Sequence, residues 1–411
     1  MKKIVILRDH LRDAFFRWGW LVPTVLPLTQ LGGRGLFNSA AGLYALWGLS
    51  SFWSRRERLD RLTTLLYVLL LGIYLLGIPG SVDLKRGFRL WMEFGLESLS
   101  LLLMQMALRE SPANPNRFVN AMALFGGLTI GGLYLLLPYH ALGWSGQPFD
   151  PTRLRQDSLP LLLPFVLYWF WRQDYGRWRY GAMAGAVVVV LSYIVAAEGR
   201  AALFGLVVGL MVFCGTVLGW RLRWIALVGV AVLLTGIAAH TGPFRKAELD
   251  PDHPLDAFTA GRTILWRQAL QHPPARPWLG VGIGSGIHAE EVLRFKIGDT
   301  SVQVKHLHNF LLDAWYETGI LGAGLLLALI GVVFGRLARA WRRLPAEDRQ
   351  RSGVLLAAAL AIIAAGLLSF GYTSQNFACF FFVCLGGLVH FGRAHRQELI
   401  SPAGGTIRDQ H

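Results

Sequence analysis

The feature that most limits what this chain can fold into is its succession of apolar runs, most of them about 18 to 22 residues long and separated by short polar breaks. A helix rises ~1.5 Å per residue, so a run of ~20 residues covers the ~30 Å hydrocarbon layer of a bilayer. Twelve such spans are expected, at about 17–32, 36–53, 62–79, 89–108, 118–138, 158–171, 180–197, 201–219, 222–241, 308–335, 353–370 and 373–391. Helices satisfy their own backbone groups, the condition for lying in lipid. Alternating ten-residue strands are absent, which argues against a membrane barrel. The sixth span contains Pro160 and Pro164 and is expected to be bent; the tenth is long, with its first turns beyond the lipid. The chain is 54% hydrophobic and only 16% charged, far from the balance of a soluble protein. The expectation is an all-α polytopic membrane protein.

Sidedness follows from the basic residues. With the N-terminus inside, most of the 40 lysines and arginines fall in the inner segments, which are short and basic. The net charge of +15 is therefore an expected consequence of cytoplasmic loops, and nucleic acid is not needed to explain it. The division is residues 1–241 with nine spans, an outer loop domain at 242–307, three spans at 308–392, and an inner tail at 393–411. Cys214, Cys379 and Cys384 all lie in apolar runs and form neither a disulfide framework nor a zinc spacing. The basic start, MKKIVILRDHLRDAFFR, lacks a cleavage site, so no signal peptide is expected.

In the outer loop, GRTILWRQALQH reads as an amphipathic helix with Ile264, Leu265, Trp266 and Leu270 on its apolar side, and IHAEEVLRFKIG reads as a second helix. WLGVGIGSG between them has the glycines of a tight turn but lacks the Lys-Ser/Thr of a phosphate loop. Asp250-Pro-Asp252 resembles a metal-binding pair, but a Pro-rich acidic turn explains it as well; no metal site and no cofactor are expected.

Several residues stand out chemically. His308 and Asn309 sit where the polar loop meets a helix that carries Asp313 and Glu317 inward. Ionisable groups at a membrane boundary are costly and mark function by default. An imidazole can accept a hydroxyl proton near neutral pH. The competing reading is a helix cap, and Asn309 either caps, orients the histidine or binds sugar. His306, two residues earlier, is expected to face elsewhere on the helix, so the pair is a poor metal site. Arg200, in SYIVAAEGRAALFG, is suited to grip phosphate, or else pairs with Glu198. Arg262 opens the amphipathic loop helix, where anions are favoured, or is simply a solvated charge. Lys85, Arg86 and Arg89 lie at an outer helix end, against the topogenic rule; they read as a substrate-binding cluster or a lipid-headgroup contact. Outer arginines, one candidate base and no convincing metal pair suit a diphosphate-bearing substrate, with fixed guanidinium groups meeting the leaving charge.

HNFLLDAWYETGILG, from His308 to Gly322, resembles the H-N-x-x-L…E-x-G-x-x-G signature of the O-antigen ligase and polymerase superfamily. GRAALFG resembles its arginine motif at an outer helix end, though AEG stands before Arg200 where small polar residues are commoner. Arg262 through Trp266 to Gly280, Gly282 and Gly284 is similar to its R-x-x-x-W…G-x-G pattern. The likeness is dense over about 196–325. It implies a membrane glycosyltransferase of GT-C type that moves a glycan from undecaprenyl pyrophosphate to an outer-leaflet acceptor, for a ligase the lipid A-core, at the bacterial inner membrane and without a metal. His308 then falls on the family's essential histidine, and Arg200 and Arg262 on its essential arginines. Lys85, Arg86 and Arg89 match by position and charge only. A polymerase, or a ligase that glycosylates protein, is the near alternative. A transporter would show charges deep in several spans and internal pseudo-symmetry; Glu93, Glu97, Asp313 and Glu317 are the main intramembrane acids, and no repeat is evident.

Overall fold

The computed structural model describes residues 2–52, 56–141, 156–197, 199–219, 262–285, 294–297, 300–303 and 306–398. The first expected span, 17–32, is not one helix. It is shared between α1 (Lys2–Trp18) and a short α2 (Val22–Thr29). Pro23 in the first turn of α2 has no N–H, and its ring opposes the carbonyl four residues earlier, at Gly19, so a continuous helix cannot run through. The chain continues through α3 (Arg34–Phe52), α4 (Arg61–Gly77), α5 (Leu84–Ser98), α6 (Ser100–Leu108), α7 (Asn114–Ala141), α8 (Leu159–Arg172), α9 (Trp178–Ala196) and α10 (Arg200–Thr216). The loop region contributes α11 (Arg262–Gln271) and a hairpin of β1 (Arg294–Ile297) and β2 (Thr300–Gln303). Then come α12 (Phe310–Ala340), α13 (Ala346–Gly366), a π-helical turn at Asn376–Phe381 and α14 (Phe382–Glu398). The expected ninth span, 222–241, and the loop residues 242–261 with Asp250 and Asp252 lie outside the described residues.

Among the described residues, four stretches are long and apolar enough to cross a membrane: Arg61–Gly80, Asn114–Leu135, Trp178–Ala196 and Phe310–Arg343. The helices at Leu159–Arg172, Arg200–Thr216 and Phe377–Arg393 are apolar but shorter. Pro160 occupies the first turn of α8, where its missing N–H has no partner to lose; Pro164 lies inside the helix. Leu43, Leu65, Leu76, Leu135 and Val188 are each more than half exposed. Such a surface is costly in water and ordinary in lipid. The protein is a multi-pass, all-α membrane protein. α10 and α13 meet through small residues: a Cβ on Gly205 would strike the Ala361 carbonyl, and Gly209 packs against Ala361. Bare backbone at these contacts lets the helices approach without a side-chain layer.

The second loop helix expected over 287–298 is overturned in its latter part. Arg294–Ile297 pairs antiparallel with Thr300–Gln303, Arg294 opposite Gln303 and Ile297 opposite Thr300. The sequence Arg-Phe-Lys-Ile alternates polar and apolar residues, the period of a strand. α11 forms as expected, but Leu265 and Ala269 are its buried pair, while Leu270 faces outward.

α12 is broken at Gly319 (φ 68°, ψ −171°). Pro277–Ser285 lies along the break and supplies the missing hydrogen bonds. The Val281 and Gly282 N–H groups donate to the Tyr316 and Glu317 carbonyls at 3.1 and 2.9 Å. The Ile320 and Leu321 N–H groups donate to the Pro277 and Trp278 carbonyls at 2.9 and 3.3 Å. Backbone meets backbone so closely that a Cβ on Gly280 would strike Glu317 and one on Gly319 would strike Trp278. Gly280, Gly282 and Gly284 all have positive φ. The glycine-rich turn is thus a clasp around a helix break.

At the end of the bundle away from this clasp, arginines are tied into the fold. Arg336 of α12 pairs with Asp60, the N-cap of α4, whose carboxylate also accepts from the Thr63 N–H at 2.8 Å. Arg393 donates to the Leu59 carbonyl at 2.6 Å, Arg109 donates to the Arg58 carbonyl, and Arg58 pairs with Glu110.

Candidate active site

The opposite end gathers the loops before α8, α10, α11 and α12 and the loop after α13. His306 and His308 precede α12 in an irregular segment, so the expectation that they face apart on a helix is corrected: their rings pack with centroids 4.0 Å apart. Among the described residues, His308 is the sole non-glycine with left-handed backbone, φ 52°. That conformation is strained for a side-chain-bearing residue and persists only where the surroundings impose it. Here Leu307 imposes it. Its N–H donates to the Asp313 carboxylate at 2.7 Å, and its carbonyl accepts from the Trp266 indole at 2.8 Å. Its side chain is buried with Leu265, Ala269 and Tyr316. α11 and α12 together clamp one residue and force the next into its turn.

His308 Nδ1 lies 3.0 Å from the Ser369 carbonyl. A carbonyl only accepts, so Nδ1 carries the proton and Nε2 keeps the lone pair. His306 Nδ1 accepts from the His308 backbone N–H at 3.3 Å. Burial, then the charges of His308 and Arg262, pull His306 down to about 4. Burial also lowers His308, aided by Arg262 and opposed by the Ser369 carbonyl. Both imidazoles are therefore neutral at pH 7, the state in which one can accept a proton. Asn309 is the N-cap of α12: its side-chain oxygen accepts from the Leu311 and Leu312 N–H groups at 3.0 and 3.1 Å, so that atom is engaged by the helix.

Arg200 opens α10 and Arg262 opens α11, both half-buried. They lie near enough that Arg200 repels the Arg262 charge; burial, first, and this repulsion lower Arg262, while Asp157 opposes them. Among the described residues, no hydrogen bond or ion pair engages the Arg262 guanidinium. Two guanidinium groups held together beside neutral histidines form an anion-binding arrangement. Glu198, the alternative partner for Arg200, lies outside the described residues.

The structure brings Arg200, Arg262, His306 and His308 together. Lys85, Arg86 and Arg89 form a separate group at the start of α5. Lys85 is exposed, Arg86 packs beside Gly284 of the clasp, and Arg89 pairs with Glu93 at 2.8 Å. Two residues that sequence reasoning missed join the site. Asp157, directly before α8, is buried and accepts from the Ser369 hydroxyl at 2.8 Å. Burial raises it to about 6, against the Ser369 hydrogen bond and Arg262. The only sequence signal for it was an acid directly before a proline-led apolar helix; Ser369 carried none.

Residues 185–327 match the model of the O-antigen ligase family. Over this stretch, about a third of its length, the chain is similar to that family. The matched stretch contains Arg200, Arg262, His306, His308 and Asn309; Lys85, Arg86, Arg89, Asp157 and Ser369 lie outside it. Over 108 residues the chain is also 34% identical to the exopolysaccharide production protein ExoQ of Rhizobium meliloti (strain 1021). That match spans 25% of this chain and 23% of ExoQ. Among the described elements, the matched stretch takes in the later part of α9, α10, α11, the clasp and α12 as far as residue 327.

Proposed function

We propose that the protein is an O-antigen ligase, an inverting glycosyltransferase that moves a glycan from undecaprenyl pyrophosphate to a sugar hydroxyl of lipid A-core on the periplasmic side of the bacterial inner membrane. The observation that carries this reading is a neutral His308, held in a strained turn with Nε2 unprotonated, beside Arg200 and Arg262. Nε2 takes the proton of the acceptor hydroxyl. The acceptor oxygen forms its bond to the anomeric carbon as the bond to pyrophosphate breaks from the opposite face. Undecaprenyl pyrophosphate leaves with the electron pair, and the two arginines meet its charge. Pyrophosphate is already a good leaving group, so the two arginines supply the charge stabilisation without a metal ion. Lys85, Arg86 and Arg89 then serve as an outer contact for anionic headgroups or for the donor diphosphate.

The test is a gel of lipopolysaccharide from a strain lacking the gene, run beside its undecaprenyl-linked glycans. Bare core with long chains accumulating on the carrier is the expected result. Core capped with a single repeat replaces the ligase reading with a polymerase. An unchanged ladder removes both and points to a protein acceptor or to a transporter.

A further inference from the structure

We propose that Asp157 is a positioning residue for His308, acting through Ser369. The path is continuous: the Asp157 carboxylate accepts the Ser369 hydroxyl at 2.8 Å, and the Ser369 carbonyl faces His308 Nδ1 at 3.0 Å. Ser369 thus turns a carboxylate before α8 into a fixed acceptor for a ring nitrogen before α12. Holding the proton on Nδ1 leaves Nε2 as the basic atom, which is what the proposed proton transfer needs; the inference rests on that reading for its catalytic consequence.

Two further observations bear on Asp157. The next residue, Ser158, is anchored independently, donating to the Gln30 side chain at 2.9 Å, so the chain before α8 has its own tether. The other carboxylate oxygen, Oδ1, is buried and has no hydrogen-bond partner among the described residues. Asp313, the carboxylate that holds Leu307, shares this state at its Oδ2, so the linkage through Ser369 is what marks Asp157 out. The charged and titratable groups around the histidine are Asp157 before α8, Arg200 on α10, Arg262 on α11, His306 in the same segment, and Asp313 and Glu317 on α12. Among the described acids, Asp157 is the one joined to the ring through Ser369.

The experiment uses the full-length protein in lipid nanodiscs with ring-15N-labelled histidine, the His308 signal being assigned by its loss in His308→Gln. The Nδ1–H tautomer is expected in the parent protein. Asp157→Ala should mix the two tautomers, and Ser369→Ala, which removes the hydroxyl but keeps the carbonyl, should reproduce that change. Asp157→Asn keeps an acceptor for the hydroxyl and should keep the tautomer while lowering the ring pKa, because the negative charge is gone. Identical His308 spectra in the parent and all three variants, across about pH 5 to 8, overturn the proposal. Transfer from undecaprenyl-pyrophosphate-linked glycan is measured in parallel. Asp157→Ala should lower kcat about 10- to 100-fold with KM for the donor unchanged. If the parent protein transfers nothing, the ligase reading falls, while the ring spectra still decide the role of Asp157.

Discussion

The two ends of the helix bundle both carry buried or half-buried arginines, and they use them in opposite ways. At one end Arg336, Arg58, Arg109 and Arg393 each meet a carboxylate or a backbone carbonyl of the protein. At the other, no hydrogen bond or ion pair engages half-buried Arg262 among the described residues; it feels the attraction of Asp157 and, less strongly, the repulsion of Arg200. Arginines repel one another at both ends, Arg109 against Arg393 and Arg58 and Arg262 against Arg200; the difference is that the first group is held by direct bonds to the protein. The same contrast appears in the carboxylates. Burial acts to raise Asp60, but hydrogen bonds from Arg336 and Thr63 outweigh it and hold the group below its ordinary value. Asp157 has the Ser369 hydrogen bond and the Arg262 charge, and burial wins. On the proposed function, the first end serves stability and the second binding.

Substitutions should split along this line. His308→Ala should lose the most, about 100-fold or more in transfer with normal expression; retained transfer removes its assignment as base. Arg262→Lys should follow, losing roughly 10- to 100-fold in transfer with an unchanged melting temperature, because a lysine cannot hold two phosphate oxygens in a fork. A fall in melting temperature equal to that of an end-network variant would erase the contrast. Arg336→Ala should do the reverse, costing on the order of 2 kcal/mol of stability by leaving Asp60 buried and unpaired, with transfer per folded molecule intact.

Acid should also separate the ends. His308 titrates below its ordinary 6.5, and Asp157 at about 6. Transfer should be flat from about pH 7 upward and fall only as pH drops through the lowered His308 value, where the base already carries a proton and cannot take the acceptor's. Asp60 is depressed, so its contribution is fully present above the unfolded carboxylate value of about 4 and is lost only as pH drops through its folded value. The Asp60 contribution to thermal stability should therefore hold from neutral pH down to about 4. The smallest effect is expected for Arg89→Ala: its exposed, solvent-screened pair with Glu93 should leave the melting temperature unchanged.

Helix α4 and the site-end loops show how unevenly the fold could be read in advance. An apolar run such as 62–79 has one stable state in lipid, so its helix followed directly from composition. Local backbone chemistry was harder. Pro23 divides the first span because of a clash with a residue four positions away, a rule visible in sequence but outweighed by the apolar count. The Arg-Phe-Lys-Ile alternation marked a strand within a stretch read as helix. The motif residues Arg200, Arg262, His306 and His308 were legible as chemistry, and they do converge. Asp157 and Ser369 were not, since they lie about 150 and 60 residues from the histidine and belong to no local pattern.

By itself the sequence determined an all-α membrane protein and the residue types of an anion site, because hydropathy, charge and short motifs act locally. Only the tertiary structure decided that the glycine-rich turn clasps the break at Gly319, that Leu307 is pinned from two helices so that His308 adopts its strained turn, and that Ser369 links Asp157 to the ring. All but the Leu307–Asp313 bond join segments far apart in the chain. Their existence depends on distances of about 3 Å that no periodicity encodes.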